Sequence, residues 1–261
     1  MGRNERINRI LELVSKTGAI DVETTSHALK VSLATIRRDF DELSNRQLVT
    51  RTHGGIQASG AAYDLPIRYK TAKEDRGKQR IARVAAAMVE KGYRIGVNGG
   101  TTTTELAREL SASHRLRPSD GDIGLTVVTN AINIATEMVI QPHIKIVVTG
   151  GIARPQSYEL IGDFASGLLD GLILDIAFLG VNGVDAEVGA TATHEGEAKI
   201  DQLIADAAKK VVVVATADKI GYQAFARICR PAQIDMIITD EEPDPAVRKR
   251  FEEQGVEVVV C

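Results

Sequence analysis

Two glycines followed by four threonines form the segment of this chain best suited to bind an anion. The run Asn98-Gly99-Gly100-Thr101-Thr102-Thr103-Thr104 follows a short apolar segment and precedes the helical pattern of Glu105–Leu110. Glycines let a ligand approach the backbone closely, and N–H groups at a helix N-terminus attract phosphate. Four successive hydroxyls exceed what a helix cap needs, so we predict a phosphate site; the alternative is a strand-to-helix turn with threonine caps. The run lacks the Gly-Lys-Ser/Thr of a P-loop and the GxGxxG dinucleotide spacing.

Polar and glycine residues also follow three further β-prone segments. They are Thr129-Asn130, Thr149-Gly150-Gly151 and Gly180-Val181-Asn182-Gly183-Val184-Asp185. Ligands of open parallel sheets bind at the carboxyl ends of the strands. Each of these residues alone is better explained as part of a turn, but their convergence on one edge of the sheet predicts a polar site for sugar hydroxyls that includes Asn130 and Asp185.

A second functional pattern begins at Ser32. The segment Ser32–Leu43 predicts a helix with Ser32 as its N-cap and with Ile36, Phe40 and Leu43 facing inward. Its outer face carries Ala34, Thr35, Arg37 and Arg38. Small residues allow close approach to a DNA major groove, arginine pairs with guanine edges, and Ser or Thr reaches phosphates. The alternative is an ordinary helix with surface salt bridges from Arg37 to Asp41 and from Arg38 to Glu42.

The flanking residues predict a winged helix-turn-helix. A first helix over residues 3–16 ends at Thr17-Gly18, Asp21 caps a second helix that runs to Leu29, and the Lys30-Val31 turn leads into the third. The segment 48–57 then predicts a β-hairpin with its turn at His53-Gly54-Gly55. Arg51 and His53 are expected on this wing beside DNA phosphates, although a histidine in a turn is usually just exposed.

The remainder of the chain predicts a doubly wound, mostly parallel α/β sheet. A helix is expected over Lys78–Val89, and the polar segment 114–124 is expected to be a solvent-exposed loop. Runs of Val and Ile typical of strands buried on both faces recur between helical patterns. The predicted strands are Arg94–Asn98, Thr126–Thr129, Lys145–Thr149, Ile176–Gly180, Val211–Ala215, Met236–Thr239 and Val256–Val260.

Length and composition indicate a cytoplasmic protein of two domains. We predict a DNA-binding domain at 1–57, a linker at 58–75 and an α/β domain at 76–261. Residues 1–60 carry 9 Lys and Arg against 7 Asp and Glu, whereas the whole chain has a net charge of −3. Cys229 and Cys261 lack disulfide or zinc spacing, so we expect no metal and no cofactor. No signal peptide and no apolar run of about 20 residues is visible, so we expect no membrane contact.

These motifs resemble the DeoR family of bacterial transcriptional regulators. "VSLATIRRDFDEL" and "LVTRTHGGI" match its N-terminal signature, apart from Asn45-Arg46-Gln47 where a glycine is usual. "NGGTTTTELAREL", "VVTNAINIA", "VVTGG", "IAFLGVNGVDAEVGATA", "HEGEAKIDQLIADAAKKVVVVATADKIG" and "IDMIITD" match its C-terminal blocks in order. The resemblance implies a sensor domain related in fold to ribose-5-phosphate isomerase, with a phosphorylated sugar as effector.

The resemblance also implies roles for individual residues. It places the phosphate on Gly99–Thr103 and maps isomerase-like positions onto Asp185, Glu197, Lys199 and Lys219. Two positions depart from the family pattern. Residue 98 is Asn where the family usually has Asp, and residue 99 is Gly where it often has Ser. Both departures are expected to affect which sugar fits.

Three hypotheses about function follow. The first is a repressor that binds double-stranded operator DNA and that is released from it by a phosphosugar. It is expected to be a homodimer or homotetramer, because palindromic operators are read by symmetric oligomers. The second is an active aldose–ketose isomerase in which Glu197 is the base and Lys199 or Lys219 stabilises an enediolate. The third makes the winged helix a protein-interaction module, which the salt dependence of binding would distinguish from a DNA contact.

Overall fold

The chain forms two compact units, residues 1–74 and 75–261, in a computed structural model. The structure describes residues 2–46, 48–58, 76–118 and 122–261. The predicted linker 58–75 lies outside these ranges except for Ala58, which ends a strand of the first unit.

The first unit combines three helices with a small antiparallel sheet. Its elements are α1 (Arg3–Thr17), β1 (Ala19–Asp21), α2 (Val22–Leu29), α3 (Leu33–Asn45), β2 (Val49–Thr52) and β3 (Gly55–Ala58). The helix limits follow the predicted signals. Gly18 ends α1 at a φ of 77°, the Asp21 carboxylate accepts from the Thr24 N–H at 2.7 Å, and Ser32 caps α3. The hairpin is confirmed, and β1, which the sequence did not predict, joins it in the order β1-β3-β2.

The core of the first unit holds α3 in place. Ile36, Phe40 and Leu43 are fully buried, as predicted, and pack with apolar residues of α1 and the hairpin. Asp39 on the same helix is also buried, where it accepts a hydrogen bond from the Arg6 Nε of α1 at 2.5 Å. This bond raises the pKa of the Arg6 guanidinium and fixes α3 against α1.

The second unit is built on a seven-stranded parallel sheet. The strands are β4 (Arg94–Val97), β5 (Leu125–Thr129), β6 (Ile144–Val148), β9 (Ile176–Gly180), β12 (Val211–Val214), β14 (Met236–Thr239) and β15 (Glu257–Val260). Their order is β15-β14-β12-β9-β4-β5-β6. All seven predicted strands are confirmed to within one residue at either end. The chain therefore has the predicted doubly wound α/β architecture.

Helices cover both faces of this sheet. They are α4 (Arg76–Ala87), α5 (Thr101–Ala112), α6 (Ile132–Met138), α7 (Ser166–Leu169), α8 (Glu195–Asp206) and α9 (Pro245–Glu253). Successive strand residues alternate between two cores: Val212 and Val214 face the core that includes α4, α5 and α6, whereas Val211 and Val213 face the core of α7, α8 and α9. This two-sided burial explains why the strands have nearly continuous apolar sequences.

Several short elements were not predicted. Hairpin β7 (Ile152–Ala153) and β8 (Leu160–Ile161) follows β6, and the strands β10 (Gly183–Asp185), β11 (Gly189–Ala192) and β13 (Ala226–Cys229) form a separate antiparallel sheet. Two expectations were wrong. Helix α5 starts at Thr101 rather than Glu105, and Leu116 in the supposed exposed loop is fully buried in a 3-10 turn, because its side chain fills the core beneath β5.

Candidate DNA-binding surface and effector site

Arg37 and Arg38 lie on the exposed face of α3, and the salt bridges offered as the alternative are wrong. The Asp41 carboxylate pairs instead with Arg51 at 2.9 Å, and Glu42 pairs with Arg46 and with Arg3. Within the described parts of the chain, neither Arg37 nor Arg38 has a hydrogen-bond or ion-pair partner. The fold therefore presents two unneutralised guanidinium groups side by side.

The N-terminal end of α3 supplies small and hydroxyl side chains next to these arginines. Ser32 and Ala34 are exposed, and the Ser32 and Thr35 hydroxyls are 2.9 Å apart. The Ser32 hydroxyl also accepts from the Thr35 N–H at 3.2 Å. Ser32 thus has a structural role as cap, and the exposed side chains at this helix end are the small Ala34 and the larger Leu33.

Arg51 lies on strand β2 of the hairpin, as expected, and its side chain has partners within the unit. Its guanidinium donates to Asp41 and to the Gly55 carbonyl, both at 2.9 Å, and lies 5.6 Å from the centre of the Phe40 ring. These contacts attach the hairpin to α3, and the Arg51 side chain remains 34% exposed. His53 is exposed in the hairpin turn, as expected for either interpretation.

In the second unit, Asn98 ties the ends of two neighbouring strands together. Its Nδ2 donates to the Gly180 carbonyl at 2.9 Å and to Asp201 Oδ2 at 2.7 Å, and its Oδ1 accepts from the Gly180 N–H at 2.7 Å. Asn98 is only 1% exposed. All of its hydrogen-bonding groups are engaged, so it shapes the predicted site rather than reaching a ligand.

The threonine run forms the first turn of α5. Gly100 is the N-cap at a φ of 144° and contributes no capping side chain. The Thr103 and Thr104 hydroxyls donate to the Gly100 carbonyl at 3.2 and 2.6 Å, so both are engaged within the turn, although a hydroxyl bonded to a carbonyl does not cap the free N–H groups of the helix end. The Thr102 hydroxyl differs, because it is buried and has no partner among the described residues. Thr101 is half-buried.

Buried acids that the sequence analysis missed lie beside this turn. Asn130 is fully buried, and its Nδ2 donates to Glu159 Oε2 at 3.3 Å and to Asp201 Oδ1 at 3.4 Å, while its Oδ1 has no described partner. Burial raises the pKa of Asp201 to about 8, against the hydrogen bonds from Asn98 and Asn130. Burial, and then the charges of Asp201 and Glu197, raise the pKa of Glu159 well above its ordinary value.

A salt bridge belongs to the same cluster of buried polar side chains. Arg154, also missed, donates from Nη1 to Glu197 Oε1 at 3.0 Å, and both side chains are nearly buried. Glu197 and Asp201 lie one turn apart on α8, on the face that buries Ile204. Two acidic residues one turn apart on an otherwise apolar helix face could have been used to predict buried carboxyl groups from the sequence. Nothing comparable in the sequence marks Arg154 or Glu159.

The other predicted effector residues are engaged in contacts of their own or are exposed. Lys199 is exposed on α8, and the Asp185 carboxylate accepts from the N–H groups of Glu187 and Val188, which caps the turn between β10 and β11. Lys219 donates to the Val181 carbonyl at 2.6 Å. Gly183 packs against the backbone of Tyr222, and Gly150 and Gly151 lead from β6 into the β7–β8 hairpin with positive φ values.

Two features are missing from the described residues. These residues contain no helix that is both long enough and apolar enough to cross a membrane. They also contain no cluster of His, Cys, Asp and Glu with the geometry to hold a metal ion.

Comparison with known domain families covers both units. The DeoR-like helix-turn-helix domain matches residues 6–60, and the DeoR C terminal sensor domain matches residues 73–241. This chain belongs to the DeoR family. Because both domains of a transcriptional regulator are present, this DeoR-family protein is a regulator rather than an isomerase.

Relatives match the DeoR-family protein from end to end. The HTH-type transcriptional regulator GlpR of Haloferax volcanii is 36% identical over 98% of this chain and 96% of its own. The glycerol-3-phosphate regulon repressor of Escherichia coli K12 is 26% identical over the whole of both chains. Among solved structures, ribose 5-phosphate isomerase A from Methanocaldococcus jannaschii aligns with 54% of this chain and 52% of its own at 21% identity and a TM-score of 0.39. That likeness is too weak to support an argument about function.

Proposed function

We propose that this DeoR-family regulator is a repressor of a sugar-catabolism operon and that a phosphorylated sugar or polyol releases it from operator DNA. The observation that carries the proposal is the exposed pair Arg37 and Arg38, which no carboxylate of the described fold neutralises. A helix-turn-helix places such residues in the major groove, where each bidentate contact discriminates between bases. The named role of the E. coli relative, a glycerol-3-phosphate regulon repressor, supports this function.

The effector part of the proposal rests on the first turn of α5. Among the described residues, the buried Thr102 hydroxyl has no partner and the first-turn N–H groups have no capping side chain. Together with the helix N-terminus, these donors suit a phosphate group. The neighbouring polar groups of Asn130 and the Arg154–Glu197 pair suit the hydroxyl groups of a sugar or polyol.

Oligomerisation and location belong to the same proposal. A symmetric operator requires at least a homodimer, and a homotetramer also satisfies that symmetry. Function on chromosomal DNA requires a cytoplasmic protein. For the effector to release DNA, it must bind the DNA-free conformation more tightly, and a coupling of about 1–3 kcal/mol changes DNA affinity roughly 5- to 150-fold.

Replacing Arg37 with Ala should weaken DNA binding and relax sequence preference at one base pair. The expected loss is about 1–3 kcal/mol, because a bidentate arginine–guanine contact is removed. We would select a duplex from a random-sequence pool with the wild-type full chain, and then measure affinity for it and for its single-base variants by fluorescence anisotropy.

Arg9→Ala is the matched control for this measurement. Arg9 is an exposed arginine of α1 that pairs with Glu12, so its loss changes the charge of the unit equally without touching α3. It should leave base preference unchanged. Equal affinity and equal specificity of Arg37→Ala and wild type would contradict the assignment of α3 as the recognition helix.

A phosphorylated effector should raise the melting temperature of the second unit. A ligand at 100 times its Kd stabilises the folded state by about 2.7 kcal/mol. We would screen glycerol-3-phosphate and a panel of sugar phosphates, each beside its unphosphorylated form. A shift that only a phosphorylated compound produces, and that Thr102→Val removes, is the expected result.

Thr136→Val provides the control for Thr102→Val. Thr136 lies on α6, where its hydroxyl donates to the Ile132 carbonyl, so this variant also loses one hydroxyl at nearly constant volume. It should keep the full shift. If no phosphorylated compound shifts the melting temperature, or if Thr102→Val responds like wild type, the effector site is not at α5.

A further inference from the structure

The β7–β8 hairpin, residues 152–161, crosses the carboxyl end of β5. The Leu160 N–H donates to the Asn130 carbonyl at 2.7 Å, and the Ile132 N–H donates to the Tyr158 carbonyl at 2.9 Å. Tyr158 adopts a left-handed conformation with a φ of 61°. Glu159, which lies between these two anchors, is therefore held over the end of the sheet.

The Glu159 side chain fills the space beside Gly99. A Cβ atom built on Gly99 would lie 2.1 Å from Glu159 Oε1 and 2.4 Å from its Cγ, so only glycine leaves room for this carboxyl group. Gly99 immediately precedes Gly100, the N-cap of α5. An acidic group thus occupies the approach to the helix end that we propose for the phosphate of the effector.

The position of Glu159 is electrostatically unfavourable for an acid. Glu159 is only 4% exposed. The charges of Asp201 and Glu197 act against its ionised form, and among the described residues the Asn130 amide and Arg154 favour it. A buried carboxyl group regains hydration when it moves into water. Its departure therefore recovers part of the free energy that opening the hairpin costs.

We propose that Glu159 is an internal competitor of the effector: a phosphorylated ligand binds α5 only when the Glu159 carboxyl leaves Gly99 and the β7–β8 hairpin moves. This inference rests on the proposed function and adds the means by which the same site is regulated. The hairpin also borders α8, since a Cβ built on Gly196 would lie 3.2 Å from the Ile161 side chain. Displacement of the hairpin is therefore transmitted to the helix that carries Glu197 and Asp201.

The first test measures the affinity of the full chain for inorganic phosphate by calorimetric titration. Glu159→Ala removes the competing side chain, so it should bind phosphate at least tenfold more tightly than wild type. Glu159→Gln keeps the volume of the side chain but cannot ionise when it is released, and it should fall between the two. Glu137→Ala is the control, because it removes an exposed carboxyl group of α6 instead of the buried one.

The second test follows hydrogen exchange of the Leu160 amide, which is bonded to Asn130 in the closed hairpin. Phosphate should accelerate this exchange in wild type. Gly99→Ala should accelerate it without phosphate, because the new methyl group takes the place of the carboxyl oxygen. This readout does not depend on whether Glu159→Ala folds normally.

The outcomes separate this inference from the proposed function. Tighter phosphate binding by Glu159→Ala together with faster Leu160 exchange supports it. Unchanged phosphate affinity and unchanged exchange overturn it, while the effector site stands if Thr102→Val still removes the sugar-phosphate shift. If neither wild type nor Glu159→Ala binds phosphate or any phosphate ester, both the competitor and the effector site are wrong.

Discussion

Asp39→Ala is expected to unfold the N-terminal unit and to abolish DNA binding while the sensor unit stays folded. Asp39 is 3% exposed and is the acceptor for the Arg6 guanidinium, whose side chain is itself only 13% exposed. Removing one partner of a buried ion pair costs about 3–5 kcal/mol, because the other charge stays buried without compensation. A core as small as that of residues 1–58 supplies about this much net stability.

Hydrogen exchange of the full chain distinguishes the two units. We expect amides of α1 and α3 to lose protection in Asp39→Ala, and those of α5 to keep it. Asp41→Ala is the matched control on the same helix, since the Asp41 side chain is 60% exposed and its pair with Arg51 is worth at most about 1 kcal/mol. Replacing the pair together, as Arg6→Met with Asp39→Leu, should restore most of the stability. Full protection of α3 in Asp39→Ala would show that the ion pair does not hold α3.

Asn98→Asp is expected to destabilise the sensor unit by about 3–5 kcal/mol at neutral pH, as for other uncompensated buried charges. The change introduces the residue usual in the family, but here the Asn98 amide donates to both Gly180 and Asp201. A carboxyl group at position 98 has no N–H for the Gly180 carbonyl, and it would lie beside Asp201, whose own pKa is already raised, so the two groups repel each other when both are ionised. In the folded mutant, the pair of carboxyl groups at positions 98 and 201 therefore retains a proton, and this proton is released when the protein unfolds.

The direction in which pH changes the stability of Asn98→Asp can also be predicted. A carboxyl group whose pKa is higher in the folded than in the unfolded state makes stability fall as pH rises between the two values. Urea unfolding at pH 5, 7 and 8 should show a deficit that grows with pH. The double change Asn98→Asp with Asp201→Asn restores a donor between the two positions and should recover much of the loss. Equal stability of Asn98→Asp and wild type at pH 8 would refute the argument.

The sequence predicted the sheet well because its signal is local. The central strands of the parallel sheet, such as β12 and β14, are short apolar runs buried on both faces. Each lies between helical patterns, so apolar runs of strand length with helices on either side were enough to predict them. Strand β1 and the β7–β8 hairpin have two or three residues per strand, which is too short for any period. Their pairing depends on distant residues, such as the approach of Gly55 to the Ile20 carbonyl.

The candidate site was predicted only in part for a similar reason. Asn98 and the threonine turn are placed by adjacent strand and helix signals, whereas Glu159 reaches Gly99 only because the hairpin returns across β5. Lys199 is a different case. Its implied role came from a motif that it shares with Glu197, but two residues along a helix turn a side chain to nearly the opposite face. Helical geometry alone predicts that one of these two side chains is exposed.

The division of α3 into an anchored face and an unpartnered face has an evolutionary consequence. Ile36, Asp39, Phe40 and Leu43 are buried in the packing, whereas Arg37 and Arg38 are exposed and have no hydrogen-bond or ion-pair partner among the described residues. Surface substitutions of this kind usually change stability by less than about 0.5 kcal/mol. New DNA preferences can therefore arise at the outer positions one substitution at a time, without a compensating mutation elsewhere. A duplicated gene of this type can diverge in target sequence while its protein stays folded at every step.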